Sequence, residues 1–333
     1  MQIWLWVGFI AVIMFLLALD LGVLNRKAHV IHVREALLWT VFYIALALVF
    51  NVVVYYMYEY HWFGIGATIG LPTTGREAAF VFFLGYIIEK SLSLDNIFVI
   101  AVIFSYFSVP LQFQHRVLFW GVLGALIMRG LMIAAGATLL QQFAWMNYVF
   151  GGLLIFSAAK MMVAHNAEVD PENNPLVKIA RRLFPVSPNL EGSKFLTMVD
   201  GRRAITPLFL VLLVVESTDV LFAVDSIPAI FAVTKDPFIV FTSNVFAILG
   251  LRSLYFALAD LMDKFRYLKT SLVFLLAYIG GKMIVTHYYK SHVDHNFTVD
   301  PLFSLGIIGG ILLVGVLASL LASRRQQPPP LAG

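Results

Sequence analysis

Apolar residues run along this chain in long unbroken stretches, and the polar residues gather in short segments between them. Nine stretches stand out, 3–24, 36–56, 78–107, 117–140, 145–163, 205–233, 238–259, 268–287 and 302–322. Each comes near the ~20 residues that an α-helix needs to cross a hydrocarbon core. The pattern predicts an all-α fold: a polytopic membrane helix bundle of about nine transmembrane helices. The first stretch has no basic residues ahead of it and no small-residue cleavage site behind it, so it reads as a retained helix rather than a signal peptide.

Two stretches break the apolar rule. YIIEKSLSLDNIFVI sets Glu89, Lys90 and Asp95 in the third, and ESTDVLFAVDSIPAI sets Glu216, Asp219 and Asp225 in the sixth, with Pro228 close behind. Laying Asp95 on Asp219 also lays Ser93 on Ser217 and Phe98 on Phe222, at an offset of 124. Arg129 and Leu131 fall on Arg252 and Leu254 at 123, and KMMVAH from Lys160 falls on KMIVTH from Lys282 at 122. Ordered matches at a nearly constant offset, including rare intramembrane charges, indicate an internal repeat. The unit is three spans long, so its second copy enters from the opposite face, giving two inverted three-helix repeats. The expected division is two N-terminal helices (1–77), a first repeat (78–165), a cytoplasmic loop (166–204), a second repeat (205–288) and a last helix with its tail (289–333).

The composition agrees: 60% hydrophobic and 13% charged residues, with a mean hydropathy of +0.87, would expose too much apolar surface for a water-soluble domain. The absence of cysteine excludes disulfides, thiolate metal sites and cysteine redox catalysis by the chain itself. Fifteen of the 23 lysines and arginines lie in the loops after spans one, three, five and seven and in the C-terminal tail. That asymmetry places the N-terminus outside and the C-terminus in the cytoplasm, and it accounts for the net charge of +4 without a nucleic-acid partner. In the long loop, PLVKIARRLFP puts Leu176, Ile179, Ala180, Leu183 and Phe184 on one helical face and Lys178, Arg181 and Arg182 on the other, which reads as a short helix lying on the lipid bilayer.

Six acids fall in the spans, Asp20, Glu89, Asp95, Glu216, Asp219 and Asp225, facing five bases, Lys90, Arg129, Lys160, Arg252 and Lys282, which read as structural charge pairs. A carboxylate at the bilayer centre costs about 2.5–3.5 kcal/mol on insertion scales, so it marks a partner or a function. Glu216 and Asp219 share a helix face, whereas Asp225 stands about 120° round. Pro228 cannot donate a backbone N–H, so a bend there would free carbonyls near Asp225. With Asn96, Asn244 and the hydroxyls of Ser91, Ser93, Ser217, Thr218 and Ser226, the acids form an all-oxygen ligand set suited to a hard divalent cation such as Mg²⁺, Ca²⁺ or Mn²⁺. The eight histidines lie in loops or at span ends, which argues against zinc or copper at mid-membrane. No nucleotide-binding, HExxH or GxSxG motif is present. The residues leave two readings open: a secondary transporter that trades a divalent metal ion for protons, or a membrane scaffold whose buried charges lock its packing.

EKSLSLDN from Glu89, ESTDVLFAVDSIPAIFAVTKDPF from Glu216 and FTSNVFAILGLRSLYF from Phe241 resemble the signature segments of the TerC family, most closely its Alx branch. The resemblance covers nearly the whole chain. It implies a bacterial inner-membrane protein, not an enzyme and without a resident cofactor, whose substrate is Mn²⁺ exported from the cytoplasm. It also carries the family's links to alkaline pH and tellurite resistance, and an alternative role in assisting other membrane proteins. On this reading Asp20, Glu89, Asp95, Asn96, Glu216, Asp219, Asp225 and Asn244 are the metal-binding residues.

Overall fold

A computed structural model describes residues 2–19, 33–66, 74–163, 174–199, 201–258, 267–294, 297 and 299–325. Asp20, and with it one of the eight candidate ligands, lies outside the described residues. Eleven α-helices are described: α1 (Gln2–Leu19), α2 (Val33–Glu59), α3 (Gly75–Tyr106), α4 (Leu111–Gln142), α5 (Met146–Val163), α6 (Pro175–Leu183), α7 (Pro207–Phe231), α8 (Pro237–Leu249), α9 (Leu251–Leu258), α10 (Leu268–His292) and α11 (Pro301–Arg325). Between α6 and α7 lies a hairpin, β1 (Leu196–Val199) paired antiparallel with β2 (Arg202–Ile205). Each of the nine expected stretches holds its helix, with α8 and α9 sharing the seventh. Among the described residues seven spans are long and apolar enough to cross a membrane, α8–α9 counting as one. Of the other two, α3 is interrupted by its charges, and α1 is apolar over the shorter run Ile3–Ala18.

Packing sorts the helices into two groups. α3 lies along α8 as α4 lies along α7, while α3 meets α7 and α5 meets α10. The α3–α8 and α4–α7 pairings exchange when α3 is swapped with α7 and α4 with α8, whereas α5 contacts α7 more extensively than α10 contacts α3. The α5–α10 crossing is tight because glycines face each other there: a Cβ on Gly280 would stand 2.8 Å from the Gly151 carbonyl oxygen. α1 and α2 pack outside this core. Leu5, Phe9, Ile13 and Leu17 recur every fourth residue on α1 and are buried among aromatic rings that include Phe50, Phe238 and Phe246.

Three local features differ from the sequence expectation. The seventh span breaks at Gly250, which ends α8 and leaves the Ala247 carbonyl to accept a hydrogen bond from Lys90 Nζ at 3.2 Å. Lys90 therefore serves as a positive cap on a helix C-terminus, where the free carbonyls favour a cation. α7, by contrast, continues through Pro228 to Phe231, so the proline does not break the helix. Pro228 sits in the last turn, where little helix remains beyond it to redirect. Finally, α6 does not present its whole apolar face outward. Val177 and Ala180 are buried against α7, while Leu176, Ile179, Leu183 and Phe184 are exposed beside Lys178, Arg181 and Arg182. The hairpin was legible in one cue only, the Asp-Gly pair at 200–201, with Gly201 at φ +74°.

At the end of the bundle formed by the starts of α3 and α8 and the end of α2, Tyr58 donates to Asp236 Oδ2 at 2.5 Å, and Asp236 Oδ1 accepts from the N–H groups of Phe238 and Ile239 to cap α8. The Glu59 carboxylate accepts from the Gly75 N–H at 2.9 Å, tying α2 to the start of α3. Tyr58→Phe leaves the buried Asp236 carboxylate short of a donor and is expected to destabilise the fold by about 1–3 kcal/mol, read as a lowered thermal midpoint in detergent micelles with the helical signal unchanged at low temperature.

Candidate functional site

The centre of the bundle is organised around Arg129, halfway along α4 and 1% exposed. Its guanidinium donates from Nε and Nη2 to the two oxygens of Asp219 on α7, at 3.0 and 2.9 Å, and from Nη1 to Glu89 Oε1 on α3. Nη1 also reaches Ser226 Oγ at 3.3 Å and Asn244 Oδ1 on α8 at 3.4 Å. One side chain thus joins α3, α4, α7 and α8. The planar fork of a guanidinium, with five donors in fixed directions, is what permits a bidentate bond on one side and further acceptors on the other; a lysine lacks that geometry. Arginine also stays protonated in low dielectric far more readily than lysine.

Beside this network lies a cavity of about 20 Å³, room for about one water or a bare ion. Asn96, Thr218 and Asp219 supply its polar wall; Ile100, Leu118, Val215, Phe222 and Leu251 supply much of the apolar one. Three buried polar atoms have no hydrogen-bond partner here: Asn96 Oδ1, Glu89 Oε2 and Asn244 Nδ2. Buried polar atoms are satisfied in more than nine cases of ten, so three in one neighbourhood mark a place whose polar groups are held ready for something. Glu216 lies one turn before Asp219 and rests on α4 where residue 124 is glycine; any side chain at Gly124 would overlap its carboxylate. No single-sequence cue distinguished Gly124 from the other helical glycines.

The remaining candidates fall elsewhere. Asp225 turns to α5, where Ser157 donates to its Oδ1 at 2.5 Å and Lys160 lies within electrostatic reach, in keeping with the 120° offset from Asp219. Asp95 lies toward Lys269 at the start of α10. Among the described residues no hydrogen bond or ion pair joins Asp95 to Asp219, and no group of three or more His, Asp or Glu stands ready to hold a metal. The bases divide the same way. Arg129 pairs with two acids, Lys90 caps α8, Lys282 donates to Ser304 Oγ on α11 at 2.7 Å, and Arg252 donates to His115 Nε2 at 2.8 Å, which requires that nitrogen to carry no proton. Asn174 was not singled out in the sequence, yet its Nδ2 donates to Ser217 Oγ at 2.6 Å, between Glu216 and Asp219 in chain order.

Comparison with known proteins places these residues in a family context. A family model described as the integral membrane protein TerC family matches residues 74–327, which include every residue of the network. The chain is 48% identical over 320 residues to an uncharacterized membrane protein, STKORF319, of Myxococcus xanthus, covering 96% of this chain and 93% of that one. It is 42% identical over 311 residues to a putative membrane-bound redox modulator, Alx, of Escherichia coli K12, covering 93% and 92%. An uncharacterized membrane protein of Rickettsia felis is 39% identical over 316 residues, covering 95% and 97%. No solved structure matches the chain.

Removing the guanidinium strands two carboxylates in an apolar interior. Arg129→Gln is expected to destabilise the protein by about 3–5 kcal/mol, measured by thermal or denaturant unfolding in detergent, and Arg129→Lys to recover only part of the loss. Replacing Arg129 and Glu89 together by Met should cost less than Arg129→Gln alone, because no unpaired charge is then left at the α3 side of the network.

Proposed function

The chain belongs to the TerC family of integral membrane proteins, and from that premise we propose that it is a secondary transporter that exports a divalent metal ion, Mn²⁺, from the cytoplasm in exchange for protons. The observation that carries the reading is the pairing of a largely apolar cavity, polar only at Asn96, Thr218 and Asp219, with a carboxylate network that holds more negative charge than Arg129 balances. Arg129 balances only one of Glu89 and Asp219, and Glu216 adds a second uncompensated carboxylate within electrostatic reach of Asp219. A hard divalent ion carries the charge that would close that balance, and Asn96, Thr218 and Asp219 offer it oxygen ligands.

In this mechanism Arg129 is the resident cation. Ion entry draws Asp219 away from the guanidinium, which keeps Glu89; ion release returns Asp219 to Arg129 or leaves it to take a proton. Carboxylates that alternate among a fixed cation, a proton and a mobile metal couple the two fluxes without any covalent step. Asp95 and Asp225, with Lys269 and Lys160 as their near cations, are assigned to the ion's path rather than to the central station. The orientation that follows from the basic loops puts the N-terminus outside, the C-terminus in the cytoplasm, and α6 with the hairpin on the cytoplasmic side of a bacterial inner membrane.

A redox role, as the Escherichia coli relative's name suggests for that protein, fits the same reading. A chain without cysteine has no thiol couple of its own, so such an effect would run through the ion it moves. The second reading, a membrane assembly factor, is favoured by one fact: Arg129 already occupies oxygens of both acids, as a purely structural lock would. Flux separates the two. Purified protein in proteoliposomes is expected to move Mn²⁺ at a rate that falls as protons are added on the loading side, because both cations compete for the same oxygens. Asp219→Asn and Asp95→Asn should each bring flux to the level of empty liposomes while expressing normally. Near-normal flux in both, beside an active parent, would assign these carboxylates to packing and move the ion path elsewhere, whereas a parent that moves no Mn²⁺ would carry the assembly reading.

A further inference from the structure

We infer that the central cavity rejects Mg²⁺ and Ca²⁺ because it has no room for the shell those ions keep, and that Leu118 and Ile100 in its apolar wall set this preference for Mn²⁺. The preference presupposes the transport reading and states what its site selects.

Ligand type alone does not discriminate, since oxygen donors suit all three ions. What differs is how much of its shell each ion must keep. The cavity holds about one water or one bare ion, so an ion that enters leaves its hydration shell behind and takes its ligands from the wall. Three side chains there offer oxygen: Asn96, Thr218 and Asp219. Asn96 is buried, and its Oδ1 accepts no hydrogen bond among the described residues. Thr218 spends its proton on the Val214 carbonyl at 2.7 Å, so its Oγ1 is left with lone pairs only. Asp219 adds one oxygen or two once it leaves Arg129. Mg²⁺ demands about six ligands in near-ideal geometry and usually keeps several of them as water, and Ca²⁺ takes roughly six to eight. Mn²⁺ is larger than Mg²⁺ and releases water more readily. Its half-filled d shell gives no ligand-field preference among geometries, so it loses least by accepting the few oxygens on offer.

The wall has little slack with which to admit a larger shell. Ile100, Leu118, Val215 and Leu251 belong to one hydrophobic cluster, which continues through Ile97, Ile103 and Val214, each no more than 1% exposed. α4 and α7 already touch beside the cavity: a Cβ on Gly121, itself in the wall, would stand 3.2 Å from Val215 Cγ1. Close-packed interiors yield little, so a site of this size keeps its volume. The apolar side chains exclude water chemically as well as sterically. Leu118 and Ile100 carry no donor or acceptor that could hold a retained shell water in place.

Binding and flux are measured separately. Purified protein in detergent is titrated with Mn²⁺, and the bound fraction is read from loss of the free aqua-ion signal in electron paramagnetic resonance. Mg²⁺ or Ca²⁺ is then added in large excess, and the parent is expected to keep its Mn²⁺. Leu118→Ala makes room for retained water and is expected to narrow the preference for Mn²⁺ over Mg²⁺ roughly tenfold. Ile100→Val, a smaller change in case the first fails to fold, is expected to narrow it less, in the same direction. The selective site is overturned by a parent that binds no Mn²⁺, by Mg²⁺ displacing Mn²⁺ from the parent at comparable concentration, or by an unchanged preference in the variants that fold. Flux in proteoliposomes decides the reading beneath it. A parent that holds Mn²⁺ against Mg²⁺ yet moves none defeats the transport reading and leaves the selective site standing, whereas Mn²⁺ flux that Mg²⁺ inhibits at equal concentration defeats the selectivity and leaves transport standing.

Discussion

A charge in the middle of an apolar bundle must be answered locally, and here the answer is a single guanidinium. In an apolar interior, every donor of Arg129 that lacked an acceptor would raise the free energy of the folded state by an amount comparable to a lost hydrogen bond. The fold meets that demand by bringing Glu89, Asp219, Ser226 and Asn244 to it from three other helices. The positions of α3, α7 and α8 around α4 follow from this requirement as much as from apolar packing, which is non-directional and would accept many rotations of smooth helices in lipid.

The same logic explains which parts of the molecule were legible in the sequence. Helix number and extent are written in the lengths of the apolar runs, because a bilayer leaves the backbone no choice but to satisfy itself internally. The candidate acids were legible for a related reason: each is too costly to be incidental. Their grouping was not. Spacing along α7 correctly separates Asp225 from Asp219, because angle round a helix is local information. That Asp219 meets Glu89 through Arg129, residues 90 and 40 apart in sequence from Arg129, depends on how three helices pack and is invisible in any one of them. Pro228 leaves α7 unbroken because it lies in the last turn, where the helix is about to end. The break at Gly250 was missed because glycine in a membrane helix is commonplace, and only the lysine that reaches Ala247 makes this one a terminus.

α6 shows a second limit of pattern reading. Its apolar and basic residues were assigned to two opposed faces, one for lipid and one for water. The helix has a third surface, the small one made by Val177 and Ala180, which faces the protein. Two short apolar side chains leave almost no trace in a nine-residue amphipathic pattern dominated by larger ones, yet they fix which way the element leans.

The clasp between Tyr58 and Asp236 bears on how such a bundle can rearrange. α2 contributes no residue to the Arg129 network, but through this bond it is fastened to the first turn of α8, and through Glu59 to the first turn of α3. α3 and α8 are themselves packed along their lengths. These three helices therefore share one frame, fastened at this end by the clasp and at its centre by the Arg129 network that also holds α4 and α7. Any motion that parts α3 from α8 must therefore break the clasp to α2 as well as the packing between them.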